Sequence, residues 1–163
     1  MSGSGHDASD LRIKRLEEEL LKKYNVSRVA DLPINFNGAR LQDGENHGNE
    51  VFDKAYGELW RTFSEQDAVR RLASLAAPYL AVQSVSMGFA GSDFPQHVHF
   101  ATAAEQYRRL LQRLMNEDLI KNASNTGTYF ANEDLWKKVP PFEYTVPGVD
   151  WVLGRQIGSL AVL

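Results

Sequence analysis

Residues 90–119, AGSDFPQHVHFATAAEQYRRLLQRLMNEDL, predict a long amphipathic helix and decide the fold class. Asp93 is suited to cap this helix, Pro95 lies in its first turn, and Gln96 can reach back toward the cap. Apolar residues then recur every three or four positions, as on one helix face: Phe100, Ala103, Ala104, Tyr107, Leu110, Leu111, Leu114 and Leu119. We expect the helix to run for about 25 to 30 residues and to end near residues 121–123.

The N-terminal part of the chain predicts one helix and then a long loop. Residues 9–24 carry a narrow apolar stripe between charged neighbours, and Asn25 should end that helix. A short helical turn closed by Pro33 follows. Residues 34–48, INFNGARLQDGENHG, have the Gly, Asn and Asp content of a loop that is either functional or packed down by its own apolar side chains.

A second long helix is predicted after this loop. Apolar residues recur at helical spacing from Val51 to Ala76. Pro78 either kinks this helix or separates it from another one. Residues 79–89 are nearly all apolar or small, so we expect them in the core.

The C-terminal part predicts one short helix and an extended segment. Asn132 is suited to cap the short helix, and PPFEYTVPG, residues 140–148, cannot be helical. The sequence therefore predicts an all-α domain over residues 9–148. We expect an antiparallel bundle of three to four long helices, with a long Gly/Asn-rich loop and an extended Pro-rich segment.

Composition excludes several functional classes. The chain has 163 residues and no cysteine, which rules out disulfides, thiolate metal sites and cysteine nucleophiles. Its formal charge of -3 gives no electrostatic case for binding nucleic acid. No phosphate-binding glycine loop and no nucleophile-elbow motif is found in the sequence. We therefore expect a protein that is not an enzyme and that has no cofactor.

Three histidines are the candidate metal ligands, and each has a structural explanation. His97 and His99 lie two residues apart in a predicted helix, so their side chains point about 200° away from each other and cannot share one ion. His97 should lean toward the apolar face and His99 away from it. His47 lies near Asp43, Glu45 and Glu50, but the spacing is not that of a calcium-binding loop and favours a solvated acidic segment. The sequence predicts no metal site.

The two ends of the chain differ from the domain between them. Residues 1–8, MSGSGHDA, read as a linker. Residues 149–163, VDWVLGRQIGSLAVL, become more apolar toward the last residue. Composition alone allows either an amphipathic helix docked on the core or the start of a truncated transmembrane or juxtamembrane helix.

Several stretches together resemble a known family. SMGFAGSD at 86–93, HVHF at 97–100, AEQYRR at 104–109 and PPFEY at 140–144 are similar to the large extracytoplasmic segment of bacterial multi-pass ABC transporter permeases carrying a domain of unknown function. The similarity covers nearly all of the chain after residues 1–8. Relatives often show a denser run of histidine and arginine where this chain has residues 96–99.

The resemblance implies a non-catalytic domain on the periplasmic side of the bacterial inner membrane. It would contribute to substrate passage, gating or partner docking. Its partners would be the membrane-embedded remainder of the permease, a separate ATP-binding subunit and a possible second permease subunit. Residues 149–163 would then begin a transmembrane helix.

Two other functions stay open from the sequence. One is a periplasmic helical sensor domain of a chemoreceptor or histidine kinase, which also lies between two membrane spans. The other is a free-standing helical scaffold or metal-binding protein. Apolar spans on both sides of the domain in the parent gene would distinguish the permease and sensor functions from the free-standing protein.

Overall fold

A computed structural model describes residues 4–161 of the protein, and the side chains of residues 8–161. The helices are α1 (Ser4–Tyr24), α2 (Phe36–Ser74), α3 (Pro78–Phe89), α4 (Phe94–Asn122), the short α5 (Glu133–Lys137) and α6 (Val149–Leu160). The described residues form no strand. The predicted all-α class is confirmed, whereas the antiparallel arrangement of the helices stays a prediction.

The chain divides into two compact units, and each is described by itself. The first unit comprises Met1–Asn49 and Arg109–Pro140, and the second comprises Glu50–Arg108 and Pro141–Leu163. Helices α2 and α4 therefore each contribute one part to each unit. Residues 1–3 of the predicted linker lie outside the described residues, and residues 4–8 belong to α1.

In the first unit, α1 ends where the sequence predicts. Asn25 adopts a left-handed conformation with φ of 53°, and the Val26 amide donates to the Leu21 carbonyl at 3.0 Å. Asn is one of the few residues that accept this conformation at low cost, so it closes the helix. The predicted short turn follows as a 3₁₀ helix at Val29–Asp31.

The prediction of a loop over residues 34–48 is wrong. Helix α2 begins at Phe36 and continues without a break to Ser74. Asn35 caps it, because its Oδ1 accepts the Gly38 amide at 2.8 Å. A glycine inside a helix costs about 1 kcal/mol, and tertiary contacts can offset that cost. Here Gln112 of α4 donates to Glu45 at 2.6 Å, and Asn116 of α4 donates to Gln42 at 3.2 Å.

Gly38 shows why a glycine occupies this helix. A Cβ on Gly38 would lie 2.9 Å from Ile120 Cγ1 and 3.0 Å from the Ile120 backbone nitrogen. The start of α2 therefore approaches the end of α4 more closely than any side chain allows. The Asn35 amide also donates to the Ile120 carbonyl at 2.9 Å. The sequence signal read as a loop is in part the signature of close helix packing.

In the second unit, Pro78 separates two helices. Helix α2 stops at Ser74 and α3 starts at Pro78, whose missing amide is not needed in a first turn. The placement of residues 79–89 in the core holds for only one face of α3. Ala81 and Gly88 are buried, whereas Tyr79, Val82 and Phe89 are more than half exposed.

Helix α4 begins as predicted, with one difference. Asp93 Oδ1 accepts the Gln96 amide at 3.1 Å, so Asp93 is the cap, and the helix ends at Asn122. The Gln96 side chain does not reach back to that cap. It is buried and donates instead to the Gly88 carbonyl at 2.5 Å, which satisfies a carbonyl at the end of α3.

Helix α6 packs on α3 and reaches the end of α2 with its buried face. Val152, Gln156 and Ser159 are its buried residues. Gln156 Oε1 accepts from the Ser84 hydroxyl at 2.9 Å, and Ser159 lies 3.1 Å from the Ser74 hydroxyl. No helix within residues 4–161 is long and apolar enough to cross a membrane. The prediction that residues 149–163 start such a helix is not tested by this packing, and residues 162–163 lie outside the described residues.

Candidate functional site

Aromatic side chains fasten the extended segment after Pro140 to α4, all within the second unit. Residues 141–148 form neither helix nor strand, as predicted. The Tyr144 ring lies 5.1 Å from Phe100 in an edge-to-face arrangement, and the Phe142 ring lies 5.2 Å from Tyr107. Such pairs stabilise a contact by about 0.5–1.5 kcal/mol beyond the area they bury. We call residues 141–148 the strap.

His99 belongs to the strap contact. Its Nδ1 lies 3.2 Å from the Tyr144 hydroxyl, and its ring lies 5.5 Å from the Tyr144 ring and 6.4 Å from Trp151. Its ring is exposed, in agreement with the prediction that it leans away from the apolar face. His99 therefore connects α4, the strap and the first turn of α6.

His97 faces a different neighbour. Its ring lies 6.0 Å from Trp60 of α2, and the Trp60 ring is 5.8 Å from Phe94. The side chain is exposed, so the predicted lean toward the apolar face is limited to this ring contact. As predicted, the structure does not bring His97 and His99 together.

Two of the three acidic residues near His47 have other partners. Asp43 forms an ion pair with Arg12 at 2.9 Å, and Glu45 accepts from Gln112. His47 is exposed on α2. Within the part of the chain that the structure describes, no group of three or more His, Asp or Glu side chains is placed to hold a metal ion.

Ser92 and Asp93 serve the helix ends, and the sequence predicts this role for Asp93. Asp93 caps α4, and the Ser92 amide donates to the Met87 carbonyl at 3.0 Å at the end of α3. The Ser92 hydroxyl also points at that carbonyl, at 3.4 Å. These contacts give both residues a structural role.

A cleft of about 590 Å³ lies between three helices of the second unit. We call it the α4 cleft. Its volume falls within the range of about 300–1,000 Å³ that is typical of small-molecule sites. Its apolar wall comes from α4 and α6 and includes Phe94, Pro95, Val98, Ala103 and Trp151. Its polar groups come from α2, α4 and α6: Ser64, Asp67, Arg71, His99, Thr102, Gln106 and Arg155.

A much smaller cavity of about 20 Å³ adjoins the α4 cleft and shares Asp67, Arg71 and Arg155 with it. We call it the arginine cavity, because Arg70 also lines it. Its volume is close to the minimum for one water molecule. Asp93 is its other acidic residue, so three arginines face two aspartates.

No sequence pattern points to these arginines. Arg70 and Arg71 lie in a helix rich in mixed charges, a pattern that normally marks a solvated face. The available signal is Arg155, a single cation among the apolar residues of VDWVLGRQIG at 149–158. By composition, that cation makes residues 149–163 too polar to span a bilayer and does not by itself indicate a site.

Comparison with known proteins gives a family but no activity. The family model described as Domain of unknown function (DUF3526) matches residues 2–145. No curated protein and no solved structure shows significant similarity to the chain. The match covers the charged α1, both long helices and most of the strap, and ends just before α6. The chain belongs to the DUF3526 family.

Proposed function

We propose that this protein is the non-catalytic extracytoplasmic domain of an ABC transporter permease subunit in the bacterial inner membrane. It contributes to substrate passage, gating or partner docking. The membrane-embedded remainder of the permease, a separate ATP-binding subunit and a second permease subunit are the proposed partners. The sequence resemblance over residues 86–93, 97–100, 104–109 and 140–144 is the basis of the proposal.

One observation carries the proposal from sequence to geometry. Three of the four stretches with the resemblance are in contact in the second unit: Phe100 and Tyr107 of α4 lie against Phe142 and Tyr144 of the strap. Residues with a shared structural task are expected to touch, and scattered chance matches are not. The resemblance therefore describes one structural element, in which the strap is fastened to α4 immediately before α6.

This arrangement suggests how the domain acts in gating. The strap leads directly into α6, and α6 is the segment proposed to continue toward the membrane. Packing against α3 and the His99–Tyr144 contact hold both sides of that junction. A partner that shifts α4 would pull on the strap and so on α6, because packed contacts transmit small displacements instead of absorbing them.

Two measurements on the natural full-length protein test the proposal. The first scores the parent sequence for spans of about 20 apolar residues on either side of this domain. We expect one span before it and several after it. The second is purification of the tagged protein from membranes in mild detergent, where we expect an ATP-binding subunit to co-purify.

The same measurements identify the alternatives. A single span after the domain, followed by a kinase or chemoreceptor signalling module, would establish the sensor function and overturn the permease proposal. The absence of spans from the parent sequence would overturn both and leave a free-standing helical protein.

A further inference from the structure

We propose that the α4 cleft is a binding site for a small amphipathic anion, with the oxyanion on Arg155 and Arg71 and the apolar body against Trp151 and Phe94. This inference goes beyond the permease proposal and does not depend on it, since it concerns only residues within the second unit.

Positive charge is in excess around the arginine cavity, which adjoins the α4 cleft. Both aspartates there already have a partner. Asp67 forms an ion pair with Arg71 at 3.3 Å, and Asp93 accepts a backbone amide as the cap of α4. Arg155 is half-buried, and its contact in the described part of the chain is with an aromatic ring and not with a carboxylate. A guanidinium is always charged and carries five donors, so the site lacks an anion.

Arg70 strengthens this imbalance. It reaches into the arginine cavity, where its Nη2 lies 3.3 Å from the sulfur of Met87. A thioether is a weak acceptor, and it does not neutralise the guanidinium. The cavity itself holds no more than about one water molecule, so an oxyanion would sit at its mouth in the α4 cleft.

Trp151 contributes to both the charged part and the apolar part of the proposed ligand site. The Arg155 guanidinium lies 5.1 Å from the centre of the Trp151 ring. A guanidinium stacked on an aromatic ring loses less rotational freedom when it binds a planar oxyanion. The same ring forms part of the apolar wall of the cleft, beside Phe94 and Val98.

The combination selects the chemical class of the ligand. A neutral apolar compound would leave the guanidinium groups without an acceptor, and an inorganic anion would leave the aromatic wall unused. A carboxylate or phosphate monoester with an apolar body satisfies both. Such a group occurs on free small molecules and on lipid head groups, and the binding experiment must distinguish these two sources.

The test uses octanoate as the probe, with 1-octanol as the matched neutral compound and octylammonium as the matched cation. Binding to the full chain is measured by titration calorimetry and by the fluorescence of Trp151 in a variant with the other tryptophans replaced by phenylalanine. We expect octanoate to bind with a Kd near or below about 1 mM. The two control compounds should bind more weakly by about tenfold or more.

Three variants locate the bound probe. R155M should weaken octanoate binding about tenfold and leave octanol binding nearly unchanged. T102W places a large ring into the cleft from an exposed position of α4, and should abolish binding of both compounds. R113M removes the same charge from an exposed position of α4 that does not line the cleft, and should have no effect.

The outcomes distinguish the sources and the failure. Octanoate binding that R155M weakens assigns a free amphipathic anion. Binding only to vesicles of phosphatidylcholine with phosphatidylglycerol, abolished by T102W, assigns a lipid head group. Equal binding of octanoate and octanol, an effect of R113M equal to that of R155M, or no binding to octanoate and none to the vesicles would overturn the site.

Discussion

Each unit has a junction between helices that depends on polar side chains, and the two junctions use these side chains differently. In the first unit, Asn35 and Asn125 hydrogen-bond to backbone groups at the start of α2 and beyond the end of α4. In the second unit, Ser84 and Gln156 hydrogen-bond to each other between α3 and α6. Side chains that satisfy helix ends fix the position of the chain, whereas breaking a hydrogen bond between two side chains leaves the backbone hydrogen bonds of both helices intact.

This difference predicts which of the two junctions is rigid and which one can adjust. The Asn125 side chain accepts the Phe36 amide at 2.7 Å and donates to the Ile34 carbonyl at 2.7 Å and to the Leu32 carbonyl at 3.3 Å, so its loss would orphan three backbone groups. Gln156 is only 3 % exposed, but its partner is the Ser84 hydroxyl, which can rotate toward another acceptor. We expect the first junction to resist change and the α3–α6 contact to be the adjustable one.

The largest expected effect is at Gly38. G38V would force a branched side chain into the Ile120 backbone and should lower the free energy of unfolding by about 3 kcal/mol. G44V is the matched control in the same helix, because a Cβ there meets nothing within 4 Å. Its effect should stay within about 0.5 kcal/mol in urea denaturation. Equal losses from the two variants would contradict the close approach of α2 and α4.

Asn125 should come next. N125A removes the bonds to Phe36 and Ile34 and should cost about 2 kcal/mol, because the orphaned backbone groups are partly buried. Asn122 offers the control, since within residues 8–161 its side chain hydrogen-bonds only to Asp118, at an exposed site. N122A should change the midpoint of urea unfolding very little. A loss below about 0.5 kcal/mol for N125A would show that the junction is not a fixed point.

A smaller effect should separate Ser84 from Gln156. The single variants S84A and Q156L and their double variant form a cycle that isolates the coupling between the two side chains. We expect a coupling of about 1 kcal/mol, as for a neutral buried hydrogen bond. Strictly additive losses would mean that the two side chains act independently and that the α3–α6 contact depends on packing alone.

The smallest effect should be at the strap hydroxyl. Y144F removes the bond to His99 but keeps the ring contact with Phe100, and should cost about 0.5 kcal/mol or less at this exposed site. Y144A also removes the ring pair and should cost about 1 kcal/mol more. F130A is the control, because the Phe130 side chain is 82 % exposed. A Y144A variant as stable as F130A would remove the strap from the gating proposal.

Local signals in the sequence predicted the ends of elements well. Asn25, Pro78, Asp93 and Asn132 each mark a boundary that the structure has, because capping and proline effects act within a few residues. The loop prediction for residues 34–48 is wrong at their start because the reason for Asn35 and Gly38 lies more than 80 residues away, at the end of α4. Nothing in the structure explains Gly44 and Gly48. No local pattern shows that Gly38 meets Ile120 or that Asn35 bonds to Ser124.

The candidate site was less predictable than the fold. The sequence offers histidines as possible ligands, whereas the α4 cleft depends on Arg71, Trp151 and Arg155. These three residues come from two segments that are distant in the sequence. Charged residues in a helix are usually solvated, so their pattern does not show which arginine has an aspartate partner and which has none. Only the geometry shows which cation lacks a carboxylate partner.

The most direct test of the central claim is the position of this domain relative to the membrane. The chain has no cysteine, so a single cysteine introduced at exposed Lys54 reports on this domain alone once any cysteines elsewhere in the full-length protein are replaced. We predict that K54C reacts with a membrane-impermeant maleimide in intact cells, while a cysteine on the cytoplasmic ATP-binding subunit does not. Labelling of K54C only after the inner membrane is permeabilised would contradict the extracytoplasmic assignment and with it the proposed function.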